Sequence, residues 1–454
     1  MRTTRRSLLK SGLGLGAGAG LTGLVPGLAN LAAANGAGGY KALVCVYLDG
    51  GMDAYDTLIP TAPGAYGAYA DARRSLIDQH EARGDDSRSL ANVIPLGGTG
   101  VGMPRQLAPL AALYRTGALS VAANVGPLIE RTDRAAVEDG RARLPARLGS
   151  HNDQRSVWMT GQLEGVPGAS GWGGRMLAAR DAGASPYGAI CFQNERKIVT
   201  AGGVRPYKMD PRGVTVARGV PSSIGRREDV QAAMMDHFAA SAARVDNLFA
   251  TDFQNARRGA VGAAAELHGL AEATTAGDAV RIEGNALSDK FAMAAKMISL
   301  RGQLGVERQV FVLDLAGFDT HQNQATALPA LQTQLAEAMA AFYQETVRLG
   351  VAQDVLTVTT SEFGRSLTPN ARGTDHGWGG HQILMGGGIR GGVIHGELPE
   401  IGLEHDLDWD RGRLIPTTSV EQFAGGIGRW FGVDGGQLEG ILPGLGRTGP
   451  ALAL

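Results

Sequence analysis

Apolar residues come along this chain in short bursts separated by glycine-rich polar stretches, and the bursts are of two kinds. Lys41-Ala-Leu-Val-Cys-Val-Tyr-Leu48, Ala118 to Val125, Ala189 to Phe192, Gln309-Val-Phe-Val-Leu-Asp-Leu315 and Val355 to Thr360 are continuous apolar runs, which predicts strands buried on both faces. Helical spacing marks Leu107 to Leu113, the segment opened by Ser150, Gly171 onward, Ala286 to Leu300, Leu328 to Leu349 and Val420 to Phe431. Such alternation predicts an α/β fold: a mostly parallel sheet with helices on both faces. Pro63 to Arg88 is polar and reads as a helical excursion. Ala201 to about Gly219 reads as an irregular surface insertion. The Ala-rich stretch Arg227 to Thr274 predicts long amphipathic helices, part of a helical insertion around 225–300. In it Met234, Met235, Phe238 and Leu248 would be core, and His237 and His268 would face solvent.

The chain has 454 residues and a net charge of -1, so no basic field marks it for nucleic acid. Its 68 glycines follow no period, which excludes a collagen-like repeat. Residues 1–34 read as a signal peptide rather than as part of the fold. Thr4-Arg5-Arg6-Ser7-Leu8-Leu9-Lys10 is a twin-arginine export pattern, followed by a Gly/Ala/Leu-rich run and small residues at Ala32-Ala33-Ala34. The expectation is export in the folded state, a periplasmic location and no stable membrane span after cleavage, leaving 35–454 as one domain. Cys45 and Cys191 each sit in an apolar strand run. Export permits a disulfide between them, and two buried thiols fit as well.

Chemistry gathers where the predicted strands end. Val355 to Thr360 runs into Ser361-Glu362, then Asp375-His376 and His381, among glycines that keep the backbone out of helix. The strand ending at Leu315 leads to Asp319 and His321, and a long helix joins the two. This βαβ order puts both sets on one edge of the sheet, where α/β folds bind ligands. Oxygen and imidazole donors there suit a divalent metal. The first strand ends in Asp49-Gly50-Gly51-Met52-Asp53, where an aspartate either holds a metal or caps the next turn. Ser150 with Asp153 forms a capping-box pattern. The same position at a helix N-terminus, with His151 beside it, makes Ser150 a candidate nucleophile. Trp172 and Arg175 are pocket or packing residues.

Assembled, these motifs resemble the DUF1501 family of twin-arginine exported bacterial proteins. The matching pieces are Leu48-Asp-Gly-Gly-Met-Asp-Ala-Tyr-Asp-Thr57, Ser150-His151, Gly317-Phe-Asp-Thr-His321, Ser361-Glu-Phe-Gly-Arg365 and Asp375-His-Gly-Trp-Gly-Gly-His381. The family looks distantly similar to the alkaline phosphatase/sulfatase superfamily. That resemblance implies an alkaline phosphatase-like domain with a divalent, often two-metal, centre at the strand ends. Carried over, Asp49 would be the first-strand ligand, Ser150 the nucleophile, and Asp319, His321, Asp375, His376 and His381 the remaining ligands. The chain departs from the superfamily pattern at Ser361-Glu362-Phe363-Gly364, where Asp-His-Gly is expected: either Glu362 replaces the aspartate ligand or the centre is rearranged.

The expectation is an exported metal-dependent hydrolase of a phosphate or sulfate ester, small or polymeric. Its ion would be zinc, manganese, calcium or magnesium, with Arg365 or Arg155 facing the transferred anion. The alternative is a periplasmic binding or assembly protein that keeps the fold without catalysis. A metal-dependent oxidoreductase ranks third, because no dinucleotide loop, haem attachment motif or iron–sulfur cysteine set is present in the sequence.

Overall fold

Strand β1 (Lys41–Asp49) is the spine of the molecule, buried along Ala42–Leu48. In the computed structural model it lies mid-sheet, paired in parallel on both sides, which is why its sequence shows no polar face. The structure describes residues 39–163, 169–180, 185–192, 197–214 and 248–454, with isolated positions at 233, 236 and 237. The export signal read at 1–34 lies outside these residues, as do Met234, Met235 and Phe238.

The chain continues through β2 (Ile59–Pro60), α1 (Pro63–Glu81), β3 (Ile94–Pro95), β4 (Val101–Met103), α2 (Ala108–Arg115), β5 (Leu119–Gly126), α3 (Arg134–Glu138), α4 (His151–Thr160) and α5 (Trp172–Arg180). After them come β6 (Ala189–Cys191), β7 (Tyr207–Lys208), α6 (Leu248–Glu272), α7 (Ala286–Ser299), β8 (Arg308–Ala316), α8 (Gln324–Arg348) and β9 (Val355–Thr360). The last part holds β10 (Arg365–Pro369), β11 (Thr374–His376), β12 (Gly380–Gly386), β13 (Ile394–His395), β14 (Thr418–Ser419), α9 (Val420–Phe431) and α10 (Gly435–Ile441).

The central sheet has nine strands in the order β13-β5-β12-β9-β1-β8-β6-β7, with β14 beside β5. Every described pairing in it is parallel except the two made by β12, which runs against both β5 and β9. Side chains of β1 alternate between two cores. Ala42, Val44, Val46 and Leu48 face a layer holding Phe291 and Met297 of α7 and Met339 and Phe342 of α8. Leu43, Cys45 and Tyr47 face Trp158 of α4, Trp172 of α5 and Phe423 and Ile427 of α9. The fold is therefore the expected mixed, mostly parallel sheet covered on both faces. Each fully buried Leu or Phe contributes about 1.5–3 kcal/mol relative to exposure, so these layers carry the stability.

Two readings change, and one left open is decided. The stretch from Ala201 contributes edge strand β7 to the sheet, a pairing too short to leave a hydrophobic pattern. Helix α7, read as part of an insertion, packs on the sheet as a full member of one layer. Of the two states left open for the cysteines, the structure has two buried thiols: Cys45 and Cys191 are not joined by a disulfide. They stand opposite Val312 on its two sides, two strand spacings apart or about 9–10 Å, beyond the reach of a disulfide.

The loop after β1 is fixed from below by a buried ion pair. Asp53 accepts hydrogen bonds from the backbone of Tyr55 and Asp56, and from Gln324 Nε2 at 2.7 Å. It faces Arg73 at 2.8 Å, both side chains essentially without exposure. Arg73 also donates to the carbonyls of Ser366 and Leu367, so α1, α8 and β10 are tied to one carboxylate. The turn choice offered at Asp53 is thus settled: it caps. Gly50 and Gly51 have φ of +118° and +93°, and a Cβ at Gly50 would lie 2.2 Å from the Asp319 nitrogen. Only glycine lets the two loops meet this closely.

Removing Arg73 leaves Asp53 buried without its counter-charge. The expected cost for Arg73→Ala is about 3–5 kcal/mol, read as a lower urea midpoint. A loss under about 1 kcal/mol would show that the pair does not hold this loop.

Candidate metal centre

Four segments bring their polar side chains to the carboxyl ends of β1, β8 and β9. Helix α4 supplies His151 and Arg155, one turn apart on the same face. The loop after β8 supplies Asp319 and His321, the end of β9 supplies Glu362, and β11 supplies His376. Ser150 starts α4 by accepting from the Asp153 nitrogen, and this cap aims His151 inward.

Donor atoms of His151, Asp319 and His376 lie within 4.8 Å of one another, as do those of Asp49, His151 and Glu362. His376 Nε2 is 3.0 Å from Asp319 Oδ1 and 2.9 Å from His321 Nε2. His151 Nε2 is 3.5 Å from Asp319 Oδ2. His376 Nδ1 meets the Gly149 carbonyl at 2.8 Å, a contact that requires Nδ1 to carry the proton. Burial pushes the His376 pKa down, against the pull of that hydrogen bond, and so favours the neutral ring. Its Nε2 lone pair then faces a carboxylate oxygen, which only a proton or a cation between them makes favourable. Imidazole nitrogens held through Nδ1–H···O contacts, converging on a carboxylate, fit a divalent ion.

Arginines compensate the carboxylates. Arg365, buried, donates to Asp319 Oδ1 at 2.8 Å and to the Gly50 carbonyl at 3.0 Å. Burial alone would raise the Asp319 pKa, but the Arg365 hydrogen bond and charge, with His376, hold it below the usual range. Asp375 is likewise held low against its burial, by Asn370, Arg411 at 2.7 Å and His321. Asp49 pairs with Arg155. Glu362 is fully buried, and burial pushes its pKa up while the His151 hydrogen bond pulls back. The ring of Phe363 stacks on His376, centroids 4.4 Å apart. A cavity of about 370 Å³ opens beside the cluster, lined by Leu148, Gly149, His321, Asp375, His376, Trp409 and Arg413.

Most residues read from the sequence are brought together: Asp49, His151, Asp319, His321, Glu362, Arg365 and His376. Three stand differently. His381 lies within β12 with Nδ1 accepting from the Asn124 nitrogen at 3.1 Å, and neither donor group includes it. Asp375 lies at the edge, 3.4 Å from His321 Nδ1, and orients that ring while paired to Arg411. Ser150 Oγ is 2.5 Å from Asp153 Oδ2, and no described hydrogen bond or ion pair joins it to the donors. The stretch read as one glycine-rich loop holds the β10–β11 hairpin and antiparallel β12. Tyr47, Trp409 and Arg413 escaped the sequence reading. Tyr47 sits in an apolar strand run, and the other two lie far beyond the motifs.

Across residues 40–442 the sequence matches the model of a family described as protein of unknown function (DUF1501). No curated protein matches it. Among solved structures the chain is similar to a 2-O GAG sulfatase, at 7% identity and TM-score 0.33, covering 87% of this chain and 71% of that one. It is similar to the phosphonate monoester hydrolase SpPMH from Silicibacter pomeroyi, at 10% identity and TM-score 0.35, covering 87% and 74%. It is also similar to the C-terminal periplasmic domain of EcEptC from Escherichia coli in complex with Zn, at 11% identity and TM-score 0.28, covering 76% and 73%. Likenesses this distant assign nothing to the site, whose reading rests on its own donor atoms.

Burial lowers the His381 pKa to about 4, from an ordinary value of 6.5. The unfolded chain therefore binds this proton more readily than the folded one, and stability falls as pH drops from about 6.5 to about 4. The shift corresponds to about 3 kcal/mol. Urea titrations across this window should show the slope in the native protein and a flatter one in His381→Gln. Equal slopes would show that His381 is not the group responsible.

Proposed function

The chain belongs to the DUF1501 family, and from that premise and the geometry of the centre we propose that it is an exported metal-dependent hydrolase of a phosphate or sulfate ester. The observation that carries this is the convergence of His151 Nε2, His376 Nε2 and Asp319 beside a cavity that also holds Arg413. Two imidazoles and one carboxylate favour zinc over manganese, calcium or magnesium. His151, His376 and Asp319 would hold the ion, which would supply Lewis acidity toward an ester oxygen and make water more acidic at neutral pH.

The chain's own groups divide the remaining work. Arg365 fixes Asp319 from behind, and the Gly149 carbonyl fixes the His376 ring. Arg413 is anchored by its Nε on the His376 carbonyl at 2.8 Å, which places a guanidinium at the cavity wall for the anion's remaining charge. Ser150 is occupied as a helix cap, so the proposed nucleophile is water, not the serine. Export follows from Arg5-Arg6 and the apolar run behind them, and makes the periplasm the proposed compartment. One observation favours the binding-protein alternative: Asp49, Asp319 and Asp375 already each have an arginine partner.

The test is elemental mass spectrometry of the protein purified without chelator, followed by hydrolysis of 4-nitrophenyl phosphate and sulfate. Bound metal and hydrolysis are expected in the native chain, both lost in His376→Ala and Asp319→Asn. Ser150→Ala should keep its turnover and lose only a cap, about 1 kcal/mol of stability. Bound metal without hydrolysis of either ester would favour the binding reading. Loss of turnover in a folded, metal-loaded Ser150→Ala would restore the serine as nucleophile.

A further inference from the structure

The two donor groups at the centre share one residue, and they ask for opposite nitrogens of it. His151 offers Nε2 toward Asp319 and His376, and its Nδ1 lies 2.8 Å from Glu362 Oε1. A neutral imidazole with Nδ1–H donated to a carboxylate has its lone pair on Nε2 alone. Glu362 is placed to receive that proton. It is fully buried, its Oε1 also accepts from the Gly50 nitrogen at 3.0 Å, and its Oε2 accepts from the Tyr47 hydroxyl at 2.9 Å. With three donors around it, this carboxylate has few lone pairs left for a cation.

The neighbouring space is taken by a guanidinium. Arg155 pairs with Asp49, donates through Nε to the Tyr47 hydroxyl at 3.3 Å, and has a terminal nitrogen 3.7 Å from Glu362 Oε1. Asp49 and Glu362, the two carboxylates a second ion would need, are held around this fixed positive charge.

We infer that the centre takes a single divalent ion, on the Nε2 side of His151, and that Glu362 is a positioning residue rather than a ligand. Arg155 supplies the positive charge at the second group. Glu362 selects the His151 tautomer, and Tyr47 holds Glu362 in place. This rests on the metal reading above and narrows it, since it removes Asp49 and Glu362 from the ligand set.

The experiment uses the full exported chain, stripped of metal and titrated with zinc and with cobalt. Calorimetry gives stoichiometry and affinity, and the cobalt absorption spectrum reports the ligand set. One equivalent is expected in the native chain. Glu362→Gln, whose amide oxygen still accepts from Nδ1–H, should bind one equivalent about 10- to 100-fold more weakly with an unchanged cobalt spectrum, the effect typical of an outer carboxylate partner. Tyr47→Phe, a nearly isosteric change in case the first variant does not fold, should keep one equivalent and weaken binding to a lesser degree. Two equivalents in the native chain, one of them lost in Glu362→Gln, would make Glu362 a ligand and overturn the inference. Native affinity in both folded variants would also overturn it. No metal bound by the native chain would overturn the metal reading itself, an outcome distinct from the other two.

Discussion

A carboxylate without solvent, Glu362, is the constraint on which the centre is built. Burying such a group costs several kcal/mol unless it is hydrogen-bonded and balanced. Its partners come from the β1 strand (Tyr47), the loop after it (Gly50) and the start of α4 (His151), with Arg155 close by. Satisfying Glu362 therefore fixes the end of β9 against the end of β1 and sets α4 above both. Pairing of β9 with β1 brings the strand ends side by side in the first place.

Close approach of backbones is the second requirement, and glycine meets it. Phe318 N donates to the Asp49 carbonyl, and Gly50 lies against the Asp319 nitrogen with no room for a Cβ. Gly364 and Gly379 touch in the same way, a Cβ on Gly364 falling 2.1 Å from the Gly379 carbonyl oxygen. These contacts turn the glycines around the motifs from apparent loop filler into the spacing elements of the site. They also explain how β10, β11 and β12 pack in a stretch whose sequence reads as irregular.

This shows where the sequence was legible. Runs buried on both faces, as at Lys41–Asp49 and Val355–Thr360, have no polar alternation to misread, and their length and flanking glycines marked them as strands. The placement of Asp319 and Glu362 followed from those strands, because parallel strands in one sheet end on one edge. β12 was harder, because glycines flank its Ile383-Leu384-Met385 run and direction leaves no trace in composition. His381 therefore looked like a ligand in a loop, whereas the alternation of a strand points it into the core. Ser150 and His151 are adjacent in sequence, yet the helix start turns one hydroxyl to Asp153 and the neighbouring imidazole to Glu362. Spacing could pair the motifs; it could not say which nitrogen or oxygen each would present.

Charge balance bears on the substrate class. At the centre Asp49, Asp319 and Asp375 are matched by Arg155, Arg365 and Arg411, and Arg413 at the cavity wall is paired with Asp410. Glu362 remains, held by neutral and partly positive donors, so the unmetallated cluster is close to neutral or slightly negative. A divalent ion held there would reverse that sign. The loaded cavity would then attract an anion and repel a cation, and its field would be strongest at the wall shared by His376 and Arg413. A neutral ester would gain little from such a site, whereas a phosphate or sulfate ester of the kind proposed would bring its charge to the wall that Arg413 lines.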